Sequence, residues 1–440
     1  MADCQTAFCV DFENVVRYSK ERYCRLFAAA VMLLVTHYGL VNAQPQYFEV
    51  GADVSDAFVT ERLGRIDSAF SRTVAEGKLP HCVTFVAHHG RVVHLKAYGW
   101  RDKENNIPCR IDDIFRIASQ TKAICVVGFM TLVEEGKVLL DQPLKQYLPE
   151  FANPRVIDTY DKKTGKYTTQ KAKRDIKVRD LLTHTAGLSY NGSHSEICKE
   201  KNVCQHLTLD SVTLAQNVVR MATVPLSHDP GTLFEYGPST DVLGRLCEVI
   251  SGQDIYTFLK ERVLDPLGMT ETYFYLPDSM AERLVKLYQY TKQDGLILSQ
   301  NETLQTFPYA GAKMYCSTGS GMCGTIGDYA KFCQMVLNGG EFNGKRILGR
   351  KTLEMMQKNG VGDMRGEIGF GMAWDVFTPE NAHNTVISEG SMRWGGMFGT
   401  DYVIDPKEDL IILMYTNCMP NYSGVDAKTL LHNTVYQALK

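Results

Sequence analysis

"FRIASQTK" (Phe115–Lys122) places a serine and a lysine three residues apart, just before an apolar run, "AICVVGFMTLVEEG". Residues i and i+3 of a helix share one face, so Ser119 and Lys122 come within side-chain reach if the helix begins here. A serine hydroxyl attacks poorly until a nearby base takes its proton. A lysine serves as that base when burial or a second cation makes its ammonium easier to deprotonate. A helix N-terminus adds free N–H groups and a dipole that favour developing negative charge. Alone the pair is a weak signal: it reads as well as an N-cap serine followed by a first-turn surface lysine.

Outward from this stretch, the pattern changes twice. "DAFVTERLGRIDSAFSRTVAEGKLP" carries Phe58, Leu63, Ile66, Phe70 and Val74 at helical spacing. "HCVTFVAHHGRVVHLKAYGW" reads as two strands joined at His88-His89-Gly90, with the two histidines as solvated turn residues rather than metal ligands. The run after Ser119 reads as a buried helix ending near Gly136. Tyr160–Asp180 is strongly basic and reads as a solvated hairpin. Helical periodicity dominates the middle of the chain, in "STDVLGRLCEVISG" and "IYTFLKERVLDPLGM". Strand-like segments return late, in "NTVISEG", "GTDYVIDP" and "DLIILMYTN". Strands at both ends with helices between predict an α/β protein with one sheet built from both chain ends and a helical insertion.

The 440 residues suffice for a large core, and a net charge of −3 gives no reason to expect nucleic acid. Near the N-terminus, Arg22 and Arg25 precede an apolar stretch, Leu26–Val35, and then Val41-Asn42-Ala43. That is the layout of a secretory signal peptide, too short in its apolar part to span a bilayer comfortably. The leader before it is long and holds Asp11 and Glu13, so a start further downstream and an unusual anchor are the alternatives. The expectation is export to the periplasm or medium, with cleavage near Ala43, loss of Cys4, Cys9 and Cys24, and no stable membrane span afterwards. Of the remaining cysteines, Cys198 with Cys204 and Cys316 with Cys323 are near enough in sequence to bridge; buried free thiols are the other reading. No CxxC or HExxH pattern occurs, and neither a metal nor a cofactor is expected.

Further phrases carry a resemblance: "VRDLLTHTAGL" (178–188), "PGTLFEYGPSTDVLGRLCEVISG" (230–252), "VLDPLGMTETYF" (263–274), "STGSGMCGTIGDYAKFCQMVLNGG" (317–340) and "WGGMFGTDYVIDP" (394–406). With "FRIASQTK", in this order, they resemble the serine β-lactamase and penicillin-binding protein superfamily, in its class C-like branch of esterases and acyltransferases. The resemblance runs from about Phe58 to the end. It implies a β-lactamase-like fold: an antiparallel sheet flanked by helices, with the α/β part at about 44–118 and 308–440, the helical part at about 119–307, and the leader at 1–43. It implies Ser119 as nucleophile, Lys122 as its base partner and Tyr236 as the phenol that shuttles the proton. The N–H groups of Ser119 and Met397 would form the oxyanion hole, and Trp394, Gly395 and Gly396 would line the acyl group.

Two motifs depart from the family. Its usual Tyr-x-Asn is Tyr236-Gly237-Pro238 here, and its usual Lys-Thr-Gly is Trp394-Gly395-Gly396. An amide, a cation and a hydroxyl that grip a peptide-like acid are gone, which argues against efficient β-lactam or D-Ala-D-Ala cleavage. The large apolar residues Phe370, Met372, Trp374, Trp394, Met397, Phe398 and Tyr402 read either as core or as an acyl or alcohol pocket. His184 is expected to fix a loop rather than act as a second base, and the irregular Ser189–Leu207 segment to form part of the rim. The expected activity is ester hydrolysis or acyl transfer to an alcohol, a bulky sterol- or polyketide-like alcohol among the candidates. The partners are then a small-molecule ester and water or an alcohol. A β-lactamase or D,D-carboxypeptidase and a non-catalytic ligand sensor are the alternatives.

Overall fold

The computed structural model describes residue 48 and residues 56–440; the expected leader at 1–43 lies outside them. An eight-stranded antiparallel sheet organises the described residues. Its strands are β1 (His81–His88), β2 (Arg91–Asp102), β3 (Ile107–Pro108), β4 (Ile368–Phe370), β5 (Asp375–Phe377), β6 (Met392–Gly395), β7 (Asp401–Asp405) and β8 (Leu410–Tyr415). Across the sheet the order is β4-β5-β6-β7-β8-β1-β2-β3. The two chain ends meet where β1 pairs with β8, from Val83 opposite Tyr415 to His88 opposite Leu410. The sheet built from both ends is the one "GTDYVIDP" and "DLIILMYTN" predict, but "NTVISEG" is not a strand: Asn384 and Thr385 close turns back onto Asn381 and Ala382, and the segment runs as turns and bends up to β6.

β1 and β8 are buried on both faces, which is why "CVTFVA" and "LIILMY" are near-continuous apolar runs. β1 and β2 turn at His89-Gly90, whose φ values of 49° and 71° are both left-handed, as a two-residue hairpin with right-handed twist requires. His89 pairs there with Asp409 across 2.5 Å. One face of the sheet packs against α1 (Arg65–Ala75) and the C-terminal helix Ala427–Tyr436, through Ile66, Phe70, Cys82, Val86, Val403, Ile412, Leu431 and Val435. On the other face, Tyr329 of the helix Ile326–Leu337 packs on Tyr402 at 5.1 Å and on Tyr415 at 6.5 Å.

α2 (Thr121–Glu134) follows the candidate serine. It is buried continuously from Thr121 to Leu132, so it has no polar stripe and is a core helix. Lys122 lies inside it with 3% of its surface exposed, which removes the reading of a surface lysine. The middle of the chain contains helices Gly192–Glu200, Leu214–Ala222 and α3 (Ser239–Ser251), but also two hairpins, Arg155–Tyr160 with Tyr167–Lys171 and Tyr288–Thr291 with Gly295–Leu298. Only the first part of the basic stretch belongs to the first hairpin, which begins five residues earlier, at Arg155, and ends at Lys171; the remainder leads into the helix Val178–Leu182. The Ser189–Leu207 segment is less irregular than its polarity implies, since Gly192–Glu200 is helical. Neither Cys198–Cys204 nor Cys316–Cys323 is bridged: all ten cysteines described are free thiols. Cys198 Sγ instead faces His194 Nδ1 at 3.6 Å, and the Cys323 thiol donates to the Tyr273 carbonyl.

A buried polar clamp ties the sheet to the segment before Ser119. Asn417, just past β8, accepts from the Arg116 N–H at 3.0 Å and donates to the Arg116 carbonyl at 3.1 Å. The Asn417 N–H donates to His81 Nε2 at 3.0 Å, so His81 Nδ1–H donates to the Trp100 carbonyl, also 3.0 Å away. The Arg116 side chain, 2% exposed, donates to the carbonyls of Phe307, Val285 and Gln305. Burial holds His81 neutral, with its pKa lowered to about 4. The unfolded chain therefore takes up a proton at His81 below the usual 6.5 while the folded chain does not. Its stabilising share is complete above about pH 6.5 and is lost as pH falls from there toward 4. Denaturant titrations between pH 7 and 4.5 are expected to show stability falling with acidity. The slope should be shallower by about 1.4 kcal/mol per pH unit in H81Q, whose amide keeps one acceptor and one donor without titrating.

Candidate active site

Between Asp113 and Leu132 every residue is buried except Ser119. Ser119 stands in the 3-10 turn Ala118–Gln120 that opens α2, and Ala118 before it is held at φ 45°. A left-handed alanine is strained, and such strain persists only where the surroundings enforce it. Here Phe398 and Leu287 pack against Ala118, and the clamp at Arg116 fixes the incoming chain.

The Lys122 ammonium donates to Ser119 Oγ at 3.3 Å and to the Gly319 carbonyl at 2.6 Å. No carboxylate lies within ion-pairing distance of it among the described residues. Its remaining surroundings are aromatic. Nζ lies 4.7 Å from the Tyr236 ring centroid and 5.5 Å from that of Tyr190. A cation between two π faces is attracted to both without being neutralised by either. Both phenol oxygens, Tyr236 Oη and Tyr190 Oη, are buried and have no hydrogen-bond partner. Two buried, unpaired hydroxyls beside the candidate nucleophile mark a place where a polar ligand atom fits.

The Gly319 carbonyl is itself fixed. Asp241, fully buried on the first turn of α3, accepts from the Gly319 N–H at 3.0 Å and from the hydroxyls of Ser317, Thr318 and Tyr315 at 3.0, 3.3 and 3.2 Å. Burial pushes the Asp241 carboxyl up from its ordinary range, while these donors and Lys122 pull it back down. Asp241, Gly319 and Tyr190 were not singled out from the sequence. Asp241 and Gly319 sit inside recognisable phrases, but only the fold brings them to Lys122.

Tyr236 is placed by backbone contact. The Tyr190 N–H donates to the Tyr236 carbonyl at 3.2 Å, and the Glu235 N–H to the His184 carbonyl at 2.9 Å. Gly237 must be glycine, since a Cβ there would lie 1.9 Å from the Leu188 carbonyl oxygen. His184 Nδ1 accepts from the Gly237 N–H at 3.4 Å, and its ring packs on Tyr236 at 4.8 Å. Burial first, then Lys122 and Arg365, hold His184 well below its ordinary pKa, so it is a neutral support for the Tyr236 loop.

Trp394 lies on β6 with its ring 5.3 Å from Tyr236, and Phe370 packs edge-on against it at 5.4 Å. The other large apolar residues divide. Trp374, Phe398 and Tyr402 are fully buried core and Met372 nearly so, whereas Met397 is 36% exposed. Beyond β6, Gly396 approaches the turn before Ser119 so closely that a Cβ would meet the Ile117 carbonyl oxygen at 2.3 Å. The N–H groups of Ser119 and Met397 donate to no backbone acceptor among the described residues, which leaves both free for a developing oxyanion.

With this geometry in place, comparison with known proteins is decisive about ancestry. The Beta-lactamase family profile matches residues 66–435. The chain belongs to the Beta-lactamase family. It is 32% identical over 366 residues to Protein Rv1367c of Mycobacterium tuberculosis, covering 80% of this chain and 88% of that protein. It is 28% identical over 370 residues to Esterase EstB of Burkholderia gladioli, covering 80% of this chain and 90% of that protein. The structure of EstCE1, described as a hydrolase with promiscuous acyltransferase activity, superposes with a TM-score of 0.73 at 27% identity, over 86% of this chain and 99% of that one.

The Gly396 contact gives a direct test of this geometry. G396V pushes the end of β6 away from Ile117 and moves the Met397 N–H. A drop of about 100-fold or more in the rate of acylation by a p-nitrophenyl ester is expected, the size seen when one oxyanion donor is removed. Stopped-flow detection of p-nitrophenolate release would measure it.

Proposed function

We propose that the protein is a serine hydrolase of the esterase and acyltransferase type, working through an acyl-enzyme on Ser119. The observation that carries this reading is the Lys122 Nζ–Ser119 Oγ contact of 3.3 Å, at the single half-buried position of an otherwise buried run. Ser119 Oγ attacks the ester carbonyl carbon while its proton passes to the Lys122–Tyr236 pair. The oxyanion takes the N–H groups of Ser119 and Met397. When the C–O bond breaks, the departing alkoxide takes a proton from Tyr236 Oη, which has no other hydrogen-bond partner to satisfy. Water or an alcohol then repeats the sequence in reverse and frees the serine.

Several features support an ester rather than a β-lactam or D-Ala-D-Ala substrate. Pro238 stands where the family's asparagine would offer an amide, and Trp394 offers an aromatic face where a lysine would bind an acid. The partly exposed Trp394 and Phe234 rings, backed by the buried Phe370, form an apolar wall that suits an acyl chain or a bulky alcohol such as a sterol- or polyketide-like one. EstB and EstCE1 carry esterase and hydrolase descriptions. The acyl-enzyme domain of this reading spans 44–440, preceded by an exported leader cleaved near Ala43. No helix among the described residues is long and apolar enough to cross a membrane.

Intact mass spectrometry seconds after mixing with a small activated ester is expected to show one added acyl group on the wild type and none on S119A. Turnover by S119A equal to wild type would end the mechanism. Decay of that adduct with and without added alcohols separates hydrolysis from transfer. N-terminal sequencing of the protein recovered outside the expressing cell is expected to begin shortly after Ala43; an intact Met1 N-terminus retained in the cell would remove the export reading.

A further inference from the structure

The aromatic wall beside Ser119 ends in a cation for which the acyl-enzyme chemistry has no use. Arg365 closes the 3-10 turn Gly362–Arg365. Its guanidinium carbon lies 4.6 Å from the Phe234 ring centroid, 5.5 Å from Phe370 and 6.0 Å from Trp394. Trp394 in turn packs on Tyr236, so the wall runs without a break from the candidate catalytic residues to Arg365.

A guanidinium offers five donors in a planar fork. Arg365 commits Nη1 to Asp375, while Nε and Nη2 donate to nothing among the described residues. The side chain keeps 20% of its surface exposed, so the free edge is not sealed in the core. Asp375, which takes Nη1, stands opposite Arg393 in the sheet and so lies between two guanidinium groups. Leu233 and Met364, which immediately precede Phe234 and Arg365, are 56% and 44% exposed. Exposed apolar side chains thus flank the wall at the same end.

We propose that Arg365 reads a carboxylate on the substrate. The preferred ester carries its carbonyl at one end of an apolar body and an anionic group at the other. The body lies along Trp394 and Phe234, with the buried Phe370 packed behind them, and the carboxylate accepts two parallel N–H bonds from Nε and Nη2. This rests on the Ser119 reading above. It also assigns to Arg365, on a different element, an acid-binding capacity that Trp394 cannot supply in place of the family's third-motif lysine.

The test compares p-nitrophenyl monoesters of straight-chain dicarboxylic acids of increasing length with their methyl-capped neutral counterparts, at pH 7 where the free acid is ionised. At the length that spans the wall, kcat/KM for the acid is expected to exceed that of the neutral ester by about tenfold or more. The ratio should fall to about one in R365Q, stay intermediate in R365K, and decline in the wild type as salt is added. A wild-type ratio at or below one at every length overturns the proposal whether or not R365Q folds. So does an undiminished ratio in folded R365Q. Turnover of neutral esters without acid preference removes this inference alone; no turnover of either series and no adduct on Ser119 removes the acyl-enzyme reading as well.

Discussion

Everything at the site depends on the buried hydrogen bonds between Asn417 and the backbone of Arg116. An asparagine side chain imitates one rung of a sheet ladder there, joining the end of β8 to the strand-like segment that leads into Ser119. His81 holds Asn417 from the other side, and the Arg116 side chain fastens the loops from Val285 to Phe307. Each partner left unpaired in this dry interior would cost about 1–3 kcal/mol, so the cluster tolerates little displacement. That rigidity is what can hold Ala118 in a left-handed conformation and turn Ser119 out of an otherwise buried run.

The second constraint concerns charge. Lys122 is buried, yet its nearest oxygen acceptors are a hydroxyl and a neutral carbonyl, with two aromatic faces beside them. The fold instead keeps Asp241 one peptide away, spending its oxygens on the loop that presents the Gly319 carbonyl. The lysine is thus oriented through an intermediary that carries no formal charge.

Much of this was legible in the sequence, for identifiable reasons. The doubly buried strands β1 and β8 announce themselves as apolar runs, and α2 as a long run without a polar stripe. Ser119, Lys122, Tyr236 and Trp394 could be named because each sits in a phrase of ordered residues. What was not legible depends on three-dimensional neighbours. Tyr190 and Arg365 look like any other tyrosine or arginine until the fold sets them against Lys122 and Phe234. The cysteine pairs were close in sequence, but sequence proximity says nothing about where two thiols point. The split of the large apolar residues into wall and core was equally hidden, since Trp394 and Tyr402 stand opposite each other in neighbouring strands and differ only in what covers them.

The pairing of β1 with β8 also governs when the site comes into being. During synthesis the serine helix emerges long before Leu410–Tyr415 and Asn417, and until those residues arrive β1 lacks its neighbour and Arg116 its clamp. Contacts this distant in sequence form late and slowly. A nascent or truncated chain that already holds Ser119 and Lys122 therefore has these candidate residues but not the geometry that brings them together. Completion of the polypeptide and assembly of the site become one event.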